Sequence, residues 1–184
     1  MSFRYDTRRS FIGNRLLTKS RCPETRPALP SPPFLVKLYT FDQEQWLPQP
    51  REAIFPFFAE ASNLEAITPP WVGFKILTPT PIEMKAGTII DYRIHIHGIP
   101  IRWRTEITAW QPLSLFVDEQ RIGPYRKWKH THTFESVNGG TLCRDHVEYA
   151  VPGGALIHRL FVRSDVEKIF AHRHGVLEKL FGKP

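Results

Sequence analysis

The chain has 184 residues, 41% of them hydrophobic, and a formal charge of +7 at pH 7. This length and composition describe one soluble domain with a core of its own, and two cysteines, Cys22 and Cys143, supply neither a disulfide framework nor metal-ligand spacing. Residues 1–33 hold seven Arg and Lys against Asp6 and Glu24, so the remainder is close to neutral and offers no basic face for nucleic acid, and no apolar run approaches the ~18 residues of a membrane span.

In chain order, residues 1–33 are rich in Arg, Ser, Thr and Pro and end in Pro27-Ala28-Leu29-Pro30-Ser31-Pro32-Pro33. They read as a disordered basic arm on a stiff proline tether, followed by a domain over 34–184. The arm is Arg-rich and acid-poor, as a transit peptide is, and lacks the apolar stretch of a secretory signal. A misassigned start is the plainer reading, and a reducing, cytoplasmic location is expected.

Phe34 to Trp46 alternates in mixed fashion and predicts a first strand. Arg51 to Ala61 places Ile54, Phe57, Phe58 and Ala61 at helical spacing, with Pro56 inside predicting a short or kinked helix. Ser62-Asn63-Leu64-Glu65 predicts a cap into a second short helix, stopped by Thr68-Pro69-Pro70.

From Trp71 to Pro152 everything reads as strand and turn. Phe74–Leu77 is short. Ile90, Tyr92, Ile94 and Ile96 alternate with polar residues, Gly98-Ile99-Pro100 turns the chain, and Ile101, Trp103, Thr105, Ile107 and Ala109 alternate again. Ser114 to Ile122 is a strand of ambiguous phase: Phe116 argues for one face, Leu115 and Val117 for the other. Trp128, His130, His132 and Phe134 then share a face opposite Lys127, Lys129, Thr131, Thr133 and Glu135; the charged set belongs in water, so the aromatic set points inward. After the turn Asn138-Gly139-Gly140, Cys143, Asp145, Val147, Tyr149 and Val151 share a face.

Past Pro152-Gly153-Gly154 the period changes. Leu156, Leu160, Val162, Val166, Ile169, Phe170, Arg173, Val176, Leu177 and Leu180 recur at three and four, which predicts a long amphipathic helix closing the core. Strand, two short helices, a run of antiparallel strands and one long helix make an α+β arrangement: a curved sheet of six or seven strands covered by one helix. One helix cannot fill the concave face of so wide a sheet, so a cavity is expected between them.

The order of elements resembles the helix-grip fold of the START-like, birch-pollen-allergen-like superfamily (SRPBCC). More specific are Asn63 to Trp71, Thr78 to Thr88, Trp103 to Ile107, Phe116 to Gln120, Gly123-Pro124-Tyr125, Trp128 to Phe134 and Gly140-Thr141-Leu142. These resemble the polyketide cyclase/dehydrase-like branch, close to its uncharacterised ligand-binding members, over roughly residues 35–181. The resemblance implies the fold and a small hydrophobic ligand such as a lipid, quinone or polyketide. No cofactor or nucleic-acid partner is expected, and the resemblance does not fix the reaction.

Inward polar groups are then His130, His132 and Asp145, with either Asp118 and Gln120 or Glu119. These could form a satisfied network, anchor the polar end of a ligand, or act as general acid and base in cyclisation or dehydration. A metal held by two histidines and an aspartate lacks a signature spacing, and none is expected. The apolar wall is expected from Tyr92, Trp103, Trp128, Phe134 and Tyr149, with His130, His132, Asp118 and Asp145 as polar contacts; His130, His132 and Asp145 are the catalytic candidates. His95 and His97 read as solvated with Asp91 and Arg93, and His158, His172 and His174 as exposed on the last helix. There is no nucleophile elbow, P-loop or dinucleotide fingerprint. A ligand-binding protein is the first reading, a cyclase or dehydratase the second, and a scaffold docking through the basic arm the third.

Overall fold

A computed structural model describes residues 36–183. The expectations for residues 1–33, including Cys22, lie outside them. Seven antiparallel strands form one sheet in the order β1-β7-β6-β5-β4-β3-β2. They are β1 (Tyr39–Leu47), β2 (Lys75–Ile76), β3 (Ile89–Ile96), β4 (Ile99–Gln111), β5 (Leu115–Ile122), β6 (Lys127–Val137) and β7 (Gly140–Ala150). Helices α1 (Arg51–Ala59) and α2 (Asn63–Ile67) follow β1. The C-terminal helix starts as α3 (Gly154–Ile157), passes through a π-helical stretch (His158–Val162) and continues as α4 (Arg163–Phe181).

The fold class is the one the resemblance implies. Alternation fixes the inner face: Ile90 and Ile94 on β3, Trp103, Thr105 and Ile107 on β4, His130, His132 and Phe134 on β6 are all buried. Register shifts between β4 and β5, at Arg104/Thr105 and Ile107/Ala109, insert bulges that strengthen the local twist. The β6–β7 hairpin turns on Asn138 and Gly139, both at positive φ, as a two-residue turn of this kind demands. The close approach falls one residue later: a Cβ on Gly140 would lie 2.4 Å from the Leu47 carbonyl oxygen.

The boundaries depart from expectation in three places. The first strand begins at Tyr39, with Val36 and Leu38 exposed, and its inner face is the set with Tyr39, Phe41, Gln45 and Leu47. Helix α1 is short, as expected, at nine residues, and runs through Pro56 because its inner face is anchored by buried Ile54 and Phe55 while Pro56 stays in water. Ser62 does not cap α2; its hydroxyl donates to Glu60 Oε1 instead. The β3–β4 turn is His97-Gly98, both at positive φ, which leaves Ile99 and Pro100 inside β4.

Helix α4 lies on the concave face. Gln43 meets its His174 Nδ1 at 3.0 Å, and Gln45 Nε2 donates to the His174 carbonyl at 3.0 Å. Three apolar clusters hold the layers together. One joins Leu47, Ile54, Phe55, Phe116, Phe134 and Leu177; a second joins Val147, Tyr149, Val166 and Phe170; a third joins Val72, Ile94 and Trp103. Among the described residues, no helix is long and apolar enough to cross a membrane.

Candidate functional site

The clusters leave a cavity of about 730 Å³ between the sheet, α1, α2 and α4. This is within the size that small-molecule sites occupy, and the walls are mostly apolar. Ile90, Tyr92, Ile94, Ile101, Trp103 and Trp128 line it from the strands; Phe58, Leu64, Ile169 and Phe170 line it from the helices. Trp103, Tyr125 and Trp128 form a mutual aromatic wall, with ring centroids 4.8–5.6 Å apart. A small polar spot sits within it: Trp103 Nε1 donates to Thr105 Oγ1 at 3.1 Å, and the Tyr92 hydroxyl lies 3.3 Å from the same oxygen.

The floor carries a buried charged cluster. It is built from neighbouring strands, where Asp118 on β5 pairs across from His130 on β6, and His132 on β6 pairs across from Asp145 on β7. Arg173 enters from α4. His130 Nε2 donates to Asp145 Oδ1 at 2.8 Å, and His132 Nε2 donates to Asp118 Oδ2 at 3.0 Å. Arg173 Nη2 lies 3.4 Å from His132 Nδ1 and 3.6 Å from Asp145 Oδ1. The Phe116 ring stacks on His132 at 4.0 Å, which fixes that imidazole from the other side.

Burial and pairing set the charges. Burial pushes the Asp145 carboxyl up, but the Arg173 charge and the two histidine contacts outweigh it and hold it well below the ordinary carboxylate range. Asp118 is also held low: burial opposes ionisation, and the His132 hydrogen bond with the surrounding cationic groups overcomes it. Burial, and then its His132 neighbour, drive His130 down to about 4, against the opposing pull of Asp145 and Asp118, so His130 is neutral at pH 7. Arg173 Nε is buried without a hydrogen-bond partner, which leaves it a donor to spare.

The phase of β5 is settled: Asp118 points into the cavity, while Glu119 faces outward to Thr108 and Arg121. Gln120 points inward but is spent on the backbone of Tyr125. Of the expected ligand contacts, Tyr92, Trp103, Asp118, Trp128, His130 and His132 reach the cavity. Three do not. Phe134 packs into the core against Phe55 and Phe58, Asp145 stands behind the two imidazoles, and Tyr149 turns to His158 at 3.0 Å.

The sequence reading also misplaces several groups. His95 and His97 line the cavity as well; His97 is exposed, as expected, and its Nε2 meets Asp165 of α4 at 2.9 Å. His158, His172 and His174 are half-buried rather than exposed. Arg173 and Thr105 were missed as site residues. Their signals were present: an arginine on the apolar stripe of the last helix, and a threonine on the inward phase of β4.

The sequence profile of the family described as Polyketide cyclase / dehydrase and lipid transport matches residues 47–173. No curated protein matches the sequence. Among solved structures, the chain is similar to Ara h 8.0201 (17% identity, TM-score 0.54), covering 78% of this chain and 99% of that one. It is similar to protein Ms6760 from Mycobacterium smegmatis (17%, TM-score 0.57; 77% and 89% covered). It is also similar to the Zhui aromatase/cyclase from Streptomyces sp. R1128 (11%, TM-score 0.60; 77% and 92% covered). At these identities the likeness carries the fold alone.

Proposed function

The chain belongs to the polyketide cyclase / dehydrase and lipid transport family, and from that premise we propose that it binds a small hydrophobic molecule in the cavity between the sheet and α4. The observation that carries this reading is a cavity of about 730 Å³ whose apolar walls enclose one polar cluster. Trp103, Tyr125 and Trp128 take the apolar body, and Asp118, His130, His132 and Arg173 take a polar end. A lipid, quinone or polyketide-like molecule fits that division of chemistry. Trp71, exposed and on the cavity lining, gives such a molecule an apolar approach.

The test is a tryptophan-fluorescence titration with a naphthol bearing an alkyl chain, because Trp103 and Trp128 stand in the wall. Saturable 1:1 quenching is expected, weakened at least tenfold in the cavity-filling variant Ile94→Trp. Quenching that does not saturate, or an unchanged Ile94→Trp titration in a folded protein, contradicts the reading.

One observation favours a second reading. Two carboxylate–imidazole pairs border the same apolar space, which is the equipment for proton transfer at a carbon beside a carbonyl. In deuterated buffer, NMR would follow hydrogen exchange at the α-carbon of an aryl methyl ketone. Exchange that disappears in Asp118→Asn and His132→Gln supports a cyclase or dehydratase; exchange no faster than buffer removes it.

A further inference from the structure

The floor cluster brings together more lone pairs than hydrogens to fill them. His130 Nε2 is spent on Asp145, so Nδ1 is the ring nitrogen left over. That nitrogen faces Asp118 Oδ2 at 3.6 Å. His132 Nε2 approaches the same oxygen at 3.0 Å. One ligating atom from each of Asp118, His130 and His132 lies within 4.8 Å of the others. Metal–ligand bonds of about 2.0–2.2 Å at angles of roughly 90–120° put neighbouring ligand atoms about 3.0–3.7 Å apart. Both separations from Asp118 Oδ2 fall in that range.

The surroundings are those of ligands already oriented. Asp145 Oδ1 accepts from His130 Nε2 and lies 3.0 Å from His132 Nδ1. It therefore stands behind both imidazoles, on the side away from Asp118, as carboxylates do behind metal-bound histidines. Two carboxylates, Asp118 and Asp145, face one guanidinium, Arg173. With a metal on His132 Nε2, Nδ1 would carry that ring's hydrogen and donate it to Asp145 Oδ1, 3.0 Å away, in place of its longer contact with Arg173.

We propose that Asp118 Oδ2, His130 Nδ1 and His132 Nε2 form a three-ligand site for a divalent transition metal. Two imidazoles and a carboxylate suit zinc, cobalt or ferrous iron. All three residues line the cavity, so the remaining coordination positions open onto it. Asp145 is a positioning residue, and Arg173 balances its charge. The proposal goes beyond the ligand reading and does not rest on it, since the ligands belong to the wall whatever fills the space.

The test uses the full chain without a histidine tag, stripped with EDTA and titrated with Zn²⁺ by calorimetry and with Co²⁺ by visible absorption. One metal per chain is expected, with a Kd below about 10 µM and cobalt bands in the visible. Asp118→Asn and His130→Ala should each weaken binding at least tenfold. Asp145→Asn should weaken it about 10–100-fold while one metal still binds. His146→Ala, on the outer face, should change nothing. Absent 1:1 binding, or wild-type affinity in folded Asp118→Asn and His130→Ala, overturns the proposal. If those variants unfold, X-ray absorption of zinc-loaded wild type decides: two imidazole ligands support the site, and none contradicts it. The naphthol titration on stripped protein reports on the ligand reading separately.

Discussion

Arg173 shows how one side chain can be both core and site. It sits on the apolar stripe of α4, nine-tenths buried, with its guanidinium carbon 5.2 Å from the Phe58 ring centre and 5.9 Å from that of Phe170. Its charge is tolerated there because Asp145 is ionised behind the imidazoles. Removing one partner of a buried pair leaves the other uncompensated, at a cost of about 3–5 kcal/mol. Arg173→Met should therefore lower the unfolding free energy by that order, as should Asp145→Asn by a smaller amount. The double variant should be more stable than the sum of the two losses implies, because neither charge is left stranded. Urea unfolding of the four proteins checks this; strict additivity would show that the pair is not coupled.

At the scale of elements, the alternation of β3, β4, β6 and β7 was legible because period-two patterning is dictated by which face meets water. The inward histidines followed from it directly. The phase of β5 was not legible, since its bulged pairing with β4 puts Phe116 and Val117 both out of water. Pro56 predicted a short or kinked helix; α1 is short, and the packing of Ile54 and Phe55 carries it through the proline. Asp145 was placed on the correct face, but a strand pattern cannot say whether an inward group touches the cavity or a neighbour. That depends on how far His130 and His132 reach across the floor. Gly175 gives a clean test of the element-level account. It lies within α4, and a Cβ there would meet nothing within 4 Å. Gly175→Ala should stabilise the protein by about 1 kcal/mol through helix propensity alone, raising Tm by roughly 2–4 °C. An unchanged or lower Tm would mean that the glycine serves something besides the helix.

For the whole molecule, the argument is geometric. Seven strands curve around a single long helix, and the space the helix cannot fill becomes the cavity. The sequence implied that space from element order but not its size or the arginine at its floor, because Arg173 arrives from the last helix, more than fifty residues along the chain from Asp118. On the cavity lining, His97 meets Asp165 and packs edge-on against Phe161 at 6.1 Å. The central claim is that this space is built for an occupant. Native mass spectrometry of the purified full chain, before and after lipid extraction and with the extract added back, tests it most directly. The account predicts a 1:1 adduct of a small hydrophobic molecule that leaves on extraction and returns on add-back, and that Ile94→Trp excludes. A bare protein mass under all three conditions, with a crystal structure in which side chains fill the cavity, would contradict it.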